Sequence, residues 1–330
     1  MNPFDGRVLE GQCAALVSAS PWVSVDAGAV DRLAYRLADG GLAMPGWDDD
    51  PTFALTSEVA TVAWLLAYNA VNYCYWPDRA HGRWWTVVEG KEVGADDEAL
   101  GVMGAFAGAL RRGVPLDDAK FLVEMDASTL SRLLAPAPGA APLSRMDWRV
   151  ASLRELGRAY AACGGPVGLV RSAGGSAPQL VDLLVQQCPS WADVRTWEGA
   201  TLRFCKRAQL LVSMLIGRLG GEGLGSFTSV DALSVFADYR LPQVFRGKGV
   251  MRLDDGLARR ITAGEELVSG RDEEIALRAA TVHAGALLRQ ALQRRHPDVD
   301  SLVVDYLLWR AAVDEDASLP RFHRTPTTDY

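Results

Sequence analysis

Hydrophobic residues recur with the period of an α-helix along most of the chain. Between residues 26 and 38, Val30, Leu33, Ala34 and Leu37 follow the i, i+3, i+4, i+7 spacing of a helix that buries one face. The same spacing predicts further helices at 99–110, 129–134, 149–162, 177–187, 199–219 and 273–295. We therefore expect an all-α protein.

The segments between the predicted helices are short and rich in glycine and proline. They cover residues 40–51, 136–142, 164–178 and 217–225, and none is long enough to indicate a linker between domains. The glycines at 220–225 lack the spacing of a phosphate-binding loop and follow a helix, which favours a turn between two helices. Strand-like alternation is rare, and residues 83–88 with their neighbours predict one minor β-hairpin. We find no internal repeat and expect a single helical domain over residues 1–330.

One segment is apolar enough to raise the question of a membrane span. Residues 59–76 carry no formal charge, but they contain Asn69 and Asn72 and are flanked by acidic residues. These features favour a buried core helix over a transmembrane helix. The N-terminus has no basic segment followed by an apolar one, which argues against a secretory signal, so we expect a cytoplasmic protein.

Charge and composition narrow the classes of function. The net charge is −7, from 34 basic and 41 acidic residues, whereas a protein that grips DNA or RNA presents a positive surface. The five cysteines and four histidines show no metal-ligand spacing, so we expect no metal site and no disulfide framework. A single phosphate on a small ligand remains compatible with this charge.

Asp238 is the first of two carboxylates in an unusual sequence context. Thr228 and Ser229 predict a helix start, and Pro242 disfavours helical geometry at the residue before it. We therefore place Asp238 in the last turn of this helix, where the negative end of the helix dipole disfavours a carboxylate. A ligand would compensate this cost, and the alternative is a surface ion pair with Arg240.

Asp305 is the second such carboxylate and lies in the apolar segment 302–309, which follows the helix-capping residue Asp300. Its i−3, i+3 and i+4 neighbours, Leu302, Leu308 and Trp309, are apolar, so no obvious polar stripe leads from it to solvent. A buried carboxylate costs several kcal/mol unless it is paired or neutralised. The segment predicts either a functional carboxylate or a structural partner for an arginine such as Arg278 or Arg310.

A basic pair and a group of aromatic residues complete the candidate chemistry. Lys206 and Arg207 open an apolar helix, where cations oppose the dipole unless they face an anion such as a phosphate; the alternative is a solvated basic turn. Tyrosines and tryptophans cluster within 68–85, and such side chains stack on bases. Together with two carboxylates, these groups suit cleavage of a base from a sugar phosphate, because a carboxylate stabilises the oxocarbenium ion of that reaction.

Several short sequence blocks add a more specific expectation. The most telling block is 236–244, Phe-Ala-Asp-Tyr-Arg-Leu-Pro-Gln-Val, which contains Asp238. The others are 72–76, 206–209, 274–280, 305–309 and 322–324. Taken in chain order, the blocks resemble the sequence of the queuosine 5'-phosphate N-glycosylase family of queuosine salvage, and they span most of the chain.

The resemblance implies a reaction, a substrate and a fold. The reaction is hydrolysis of queuosine 5'-monophosphate to queuine and ribose 5-phosphate, with no cofactor, nucleic acid polymer or membrane as partner. The fold is a helical domain similar to helix-hairpin-helix DNA glycosylases. Because queuine is a 7-deazapurine without N7, protonation of N7 cannot release it, and oxocarbenium stabilisation must carry more of the barrier.

The resemblance also implies roles for the matched residues. We expect Asp305 beside the sugar, because its surroundings are the more apolar, and Asp238 on the base. Lys206 and Arg207 are candidates for the 5'-phosphate. The candidates for stacking or for the pocket wall are Phe227, Tyr239, Tyr306 and Trp309. The alternatives are a base-excision enzyme, which the acidic charge disfavours, and a helical binding protein, which leaves both carboxylates unexplained.

Overall fold

The structure, a computed structural model, describes residues 3–38, 42, 51–76 and 82–330. Helices dominate these residues, as the hydrophobic period predicts. In chain order the α-helices are α1 (Gly6–Ala19), α2 (Ala27–Ala38), α3 (Glu58–Ala70), α4 (Glu98–Arg111), α5 (Ala119–Val123), α6 (Ala127–Leu133), α7 (Met146–Cys163), α8 (Gly165–Arg171), α9 (Ala177–Gln187), α10 (Lys206–Arg218), α11 (Arg240–Gly247), α12 (Asp255–Ala263), α13 (Asp272–Gln293) and α14 (Ser301–Asp314).

The described part of the chain also contains six short strands. They are β1 (Val23–Val25), β2 (Thr86–Val88), β3 (Lys91–Val93), β4 (Val194–Trp197), β5 (Ala200–Arg203) and β6 (Met251–Leu253). β1 pairs with β6, β2 with β3 and β4 with β5, each pair antiparallel. The β2–β3 pair is the predicted hairpin, and the other two pairs were not predicted.

Two predicted boundaries change. The helix predicted at 199–219 begins only at Lys206, because Glu198 and Gly199, with φ of 46° and 80°, turn the chain between β4 and β5. The loop predicted at 164–178 contains α8. The loop predicted at 40–51 lies almost entirely outside the described residues.

Different helices build two hydrophobic cores. The first is formed mainly by α3, α4, α7, α9 and α10, and it includes Trp64 and Phe106. The second is formed mainly by α1, α2, α11, α13 and α14, and it includes Phe245 and Leu288. Residues from helices of both cores line a cavity, which is described below.

The uncharged segment 59–76 forms a core helix, as predicted. Residues 59–70 belong to α3, which is buried from Thr61 to Ala70, and the side-chain amide of the fully buried Asn69 donates to the Leu65 carbonyl at 2.9 Å; residues 71–76 follow the helix and are also buried. Across the described ranges, no helix combines the length and the apolar character that a membrane span requires.

Two buried arginines hold the C-terminal end of α3 and the chain that follows it. Arg149 donates to the carbonyl of Tyr73 at 2.8 Å and also to that of Val71. Arg207 donates to the carbonyl of Ala70 at 2.8 Å. Since the last carbonyls of a helix lack intrahelical donors, these guanidinium groups satisfy them and fix the path of the aromatic segment beyond α3.

A close backbone approach positions the segment before α11. A Cβ atom at Gly285, in the middle of α13, would lie 2.4 Å from a Val235 methyl carbon. Only glycine therefore lets Val235 pack against this helix, and Val235 precedes Phe236, Ala237 and Asp238 along the chain.

Candidate active site

A cavity of about 800 Å³, counted with its open mouth, lies where α3, α4, α10 and α14 converge on residues 236–240. Its polar lining residues are Tyr68, Asn72, Tyr73, Tyr75, Asp97, Lys206, Ser213, Asp238, Tyr239, Arg240, Asp305, Tyr306 and Tyr330. Its apolar lining residues are Ala99, Leu100, Met103, Leu210, Met214, Phe236, Leu302 and Trp309.

The cavity contains six of the eight site residues predicted from the sequence. The six are Asp238, Asp305, Lys206, Tyr239, Tyr306 and Trp309. They come from three separate stretches of the chain, which only the fold brings together. The other two, Arg207 and Phe227, lie elsewhere.

The prediction that Asp238 ends a helix is wrong. Residues 233–237 form neither helix nor strand, and α11 begins after Asp238. The Asp238 Oδ1 atom accepts hydrogen bonds from the amides of Arg240 at 2.8 Å and Leu241 at 3.1 Å. Pro242 is tolerated in this first helical turn because it needs no intrahelical donor there. The carboxylate therefore lies at the positive end of the helix dipole, which stabilises its negative charge.

Asp305 is buried in α14, as predicted, with 6% of its surface exposed. Its Oδ1 atom accepts a hydrogen bond from the Phe236 amide at 2.7 Å. Neither Arg278 nor Arg310 pairs with it, because each binds another carboxylate. Burial, followed by the nearby charge of Asp238, raises the pKa of Asp305 well above its ordinary value. This environment favours the protonated form of Asp305.

Lys206 is the first residue of α10 and is 5% exposed. Its amide donates to Oδ2 of Asp193 at 3.2 Å, so a distant side chain caps this helix. Its ammonium group lines the cavity and forms no ion pair with another described residue. Burial lowers the pKa of Lys206, whereas Asp238 and Asp305 raise it. The lysine therefore places an ammonium group near both carboxyl groups, without a direct ion pair to either.

Arg207 and Phe227 do not line the cavity. The Arg207 guanidinium is directed to the end of α3, where it donates to the carbonyls of Asn69 and Ala70 at 3.2 and 2.8 Å. One residue further along a helix points about 100° away from Lys206, which separates the basic pair. The hypothesis that both cations hold one phosphate therefore does not fit the structure, since the Arg207 guanidinium binds backbone carbonyls at the end of α3. Phe227 packs at the edge of the first core.

The predicted aromatic residues form two parts of the wall. Tyr239 meets Trp76 edge-on, with ring centroids 5.1 Å apart, and Phe322 at 4.8 Å. Tyr306 and Trp309 lie on α14 with centroids 5.9 Å apart. Such contacts hold the rings in fixed orientations, in which their faces or edges can pack against a planar ligand.

Several residues that line the cavity or bind its lining residues were not predicted from the sequence. Asp97 caps α4, and its Oδ1 atom accepts from the Ala99 amide at 2.9 Å. The Tyr330 hydroxyl donates to Glu274 at 2.7 Å. Arg240 binds Asp316 at 2.6 Å. In the sequence, a capping aspartate and an arginine whose partner is 76 residues away give no sign of a cavity, so only the fold identifies these groups.

A buried ion pair joins two of the site segments. Arg278 binds Asp193 through two contacts of 2.7 and 2.5 Å, and both side chains are at most 2% exposed. Arg278 Nε also donates to the carbonyl of Ala237 at 3.1 Å, while Asp193 caps α10 at Lys206. The pair therefore links the residue before Asp238 to the start of the lysine-bearing helix.

The fold and the cavity define a mainly helical protein with a cavity in which the two carboxyl groups of Asp238 and Asp305 and the ammonium group of Lys206 lie near one another. Among the described residues, no group of three His, Cys, Asp or Glu side chains is arranged to hold a metal ion. A family model described as queuosine salvage protein matches residues 53–330. The chain belongs to this family, which confirms the resemblance seen in the sequence blocks.

Relatives from bacteria and eukaryotes agree with this assignment. A Sphaerobacter thermophilus protein named queuosine 5'-phosphate N-glycosylase/hydrolase is 35% identical over 321 residues, covering 96% of this chain and 95% of its own. A mouse protein of the same name is 28% identical over 285 residues, 83% of each chain. A Schizosaccharomyces pombe protein, also of that name, is 24% identical over 328 residues, 96% of this chain and 90% of its own.

Proposed function

We propose that the protein hydrolyses the N-glycosidic bond of queuosine 5'-monophosphate and releases queuine. Two observations support the proposal: the names of the relatives, and the shared cavity in which a helix-capping Asp238 lies near a buried Asp305. The two carboxyl groups differ in environment, which suits them to different tasks in one reaction. The net charge of −7 disfavours the alternative of a base-excision enzyme acting on DNA.

Asp238 is the better candidate for the position beside the sugar. Cleavage of the glycosidic bond leaves positive charge on C1', and a group that stabilises it must be negative at that moment. Asp238 accepts two backbone amides at the start of α11, which favours a charged carboxylate. This assignment reverses the expectation from the sequence, which placed Asp305 beside the sugar because its segment is more apolar.

Asp305 is the better candidate for the proton donor. Its raised pKa favours a carboxylic acid, which can give a proton to the base as the bonding electrons leave with it. A water molecule then adds its oxygen to C1' and returns a proton to Asp305, which restores the acid and yields ribose 5-phosphate. The scheme uses no protonation of N7, which a 7-deazapurine lacks.

The remaining lining groups suit the other parts of the nucleotide. The Lys206 ammonium, which has no ion-pair partner among the described residues, is our candidate for the 5'-phosphate. Tyr239, Tyr306 and Trp309 are candidates for the wall against the base.

The proposal is tested by incubating the purified protein with queuosine 5'-monophosphate and measuring free queuine by mass spectrometry. We expect Asp238→Asn and Asp305→Asn each to lower kcat by about 100- to 1000-fold, the usual cost of a lost transition-state contact. Asp126→Asn is the matched control, because Asp126 caps α6 and does not line the cavity, so the change should leave turnover unchanged. Near-normal release of queuine by both site variants would contradict the proposal.

A further inference from the structure

The cavity carries more negative than positive groups that are free to meet a ligand. Asp97 and Asp238 line it as carboxylates, beside Asp305, whose environment favours the protonated form. Of the two lining cations in the described ranges, Arg240 is bound to Asp316 at 2.6 Å, and only Lys206 lacks an ion-pair partner. Since buried charge is costly without a counter-charge, this excess indicates a ligand that brings a positive group of its own.

Asp97 is the carboxyl group that the proposed reaction leaves unused. It is 7% exposed, and one oxygen accepts the Ala99 amide at 2.9 Å. The described residues provide no hydrogen-bond donor for its second oxygen and no cation within ion-pair distance. A single amide bond at a helix start explains how Asp97 caps α4, but it leaves half of a buried carboxylate available to the cavity.

Three tyrosines line the cavity together with Asp97, and the Asp97 charge acts on the pKa of each of them. Tyr68, Tyr75 and Tyr239 line the same cavity, and after burial the Asp97 charge raises the pKa of Tyr239 further. The hydroxyl of Tyr75 is buried and has no hydrogen-bond partner among the described residues. An unpartnered buried hydroxyl costs free energy, so its presence in a cavity wall is a second sign that a polar ligand atom belongs there.

A carboxylate among aromatic rings is suited to one class of ligand group, the protonated alkylamine. For a protonated secondary amine, the carboxylate accepts one of the two N–H bonds, a phenol oxygen accepts the other, and the ring faces attract the positive charge. A second phosphate would be repelled by Asp97, and a neutral base would offer it only uncharged N–H donors, whose bonds are weaker than those of an ammonium group. Queuine carries a secondary amine on its aminomethyl arm, whereas unsubstituted 7-deazaguanine does not.

We propose that Asp97 and the hydroxyl of Tyr75 form a subsite that binds the ammonium group of the aminomethyl arm and so selects the substituted base. The inference rests on the proposed function, because that function supplies the amine-bearing ligand. It assigns the arm to a group different from Asp238 and Asp305, which remain with the sugar and the departing base.

The test measures binding, so that it does not depend on turnover. The calorimetric Kd values of queuine and of 7-deazaguanine are compared for the wild type and for Asp97→Asn. Asparagine caps helices as well as aspartate does, so α4 should be retained, which circular dichroism checks. We expect queuine to bind about 10- to 100-fold more weakly to Asp97→Asn, the usual worth of a charge-assisted bond, and 7-deazaguanine to bind within about threefold of the wild type.

Two controls sharpen the result. Tyr75→Phe removes only the hydroxyl and should weaken queuine about threefold to tenfold without affecting 7-deazaguanine. Asp126→Asn makes the same chemical change at the exposed cap of α6 and should alter neither Kd. Equal losses for both bases, or no loss for queuine, would overturn the subsite. A wild type that binds queuine through Asp97 but releases no base would support the subsite while overturning the proposed function.

Discussion

Removal of one partner of the buried pair between Arg278 and Asp193 offers a quantitative test of how the site is held together. Arg278 has no exposed side-chain surface, and Asp193 has 2%. In Asp193→Asn, the guanidinium keeps its charge but loses the carboxylate that binds it at 2.7 and 2.5 Å. Loss of one partner from a buried pair costs about 3–5 kcal/mol, because the other charge is left uncompensated.

The structure places the expected value near the lower end of that range. Glu274 lies 3.9 Å from Arg278 Nε, and the Ala237 carbonyl still accepts a bond from the same nitrogen. An asparagine oxygen also replaces one of the two acceptors. We therefore expect the free energy of unfolding to fall by about 3 kcal/mol, measured as a lower urea midpoint at unchanged slope.

The matched control is Asp314→Asn, which breaks the exposed pair with Arg310. These side chains are 50% and 55% exposed, so the change should cost less than about 0.5 kcal/mol. If Asp193→Asn proves as mild as this control, the buried pair does not stabilise the fold, and its assigned role in linking Lys206 to Ala237 is wrong.

Two further predictions concern the candidate phosphate-binding lysine and a buried histidine. Lys206→Ala should raise KM for queuosine 5'-monophosphate about 10- to 100-fold while changing KM for the unphosphorylated nucleoside less than about threefold; equal effects would remove the phosphate role. His323 has a pKa lowered to about 3, first by burial and then by Arg278 and Arg246, so the unfolded chain takes up a proton below pH 6.5 that the folded protein resists. The stabilisation by this group is therefore complete above pH 6.5 and is lost as the pH falls towards 3. Between pH 7 and 5, the free energy of unfolding, measured by urea titration, should fall by about 2 kcal/mol more for the wild type than for His323→Gln. Equal falls for the two proteins would contradict this prediction.

The sequence predicts elements well where a local pattern decides them. The 177–187 helix agrees with α9 at both ends, because Ser176 supplies an N-terminal cap and the apolar face is continuous. β4 and β5 were missed, since a two-residue turn at Glu198 and Gly199 overrides a segment whose composition also suits a helix.

The same holds for the site: residues whose environment depends on local sequence were predicted, and the others were not. The burial of Asp305 follows from its helical neighbours alone, so the sequence was sufficient. The position of Asp238 was assigned to the wrong helix end, because Thr228 and Ser229 resemble a cap although the helix that matters starts at Arg240. Asp97 could not be found from the sequence, since most aspartates that cap helices face solvent.

The most direct test of the account is a crystal structure of the Asp238→Asn variant soaked with queuosine 5'-monophosphate. We expect intact nucleotide in the cavity, with C1' beside residue 238, the base next to Asp305 and the 5'-phosphate at the Lys206 ammonium. Nucleotide bound outside this cavity, or bound inside it with the glycosidic bond distant from both carboxyl groups, would contradict the proposed active site.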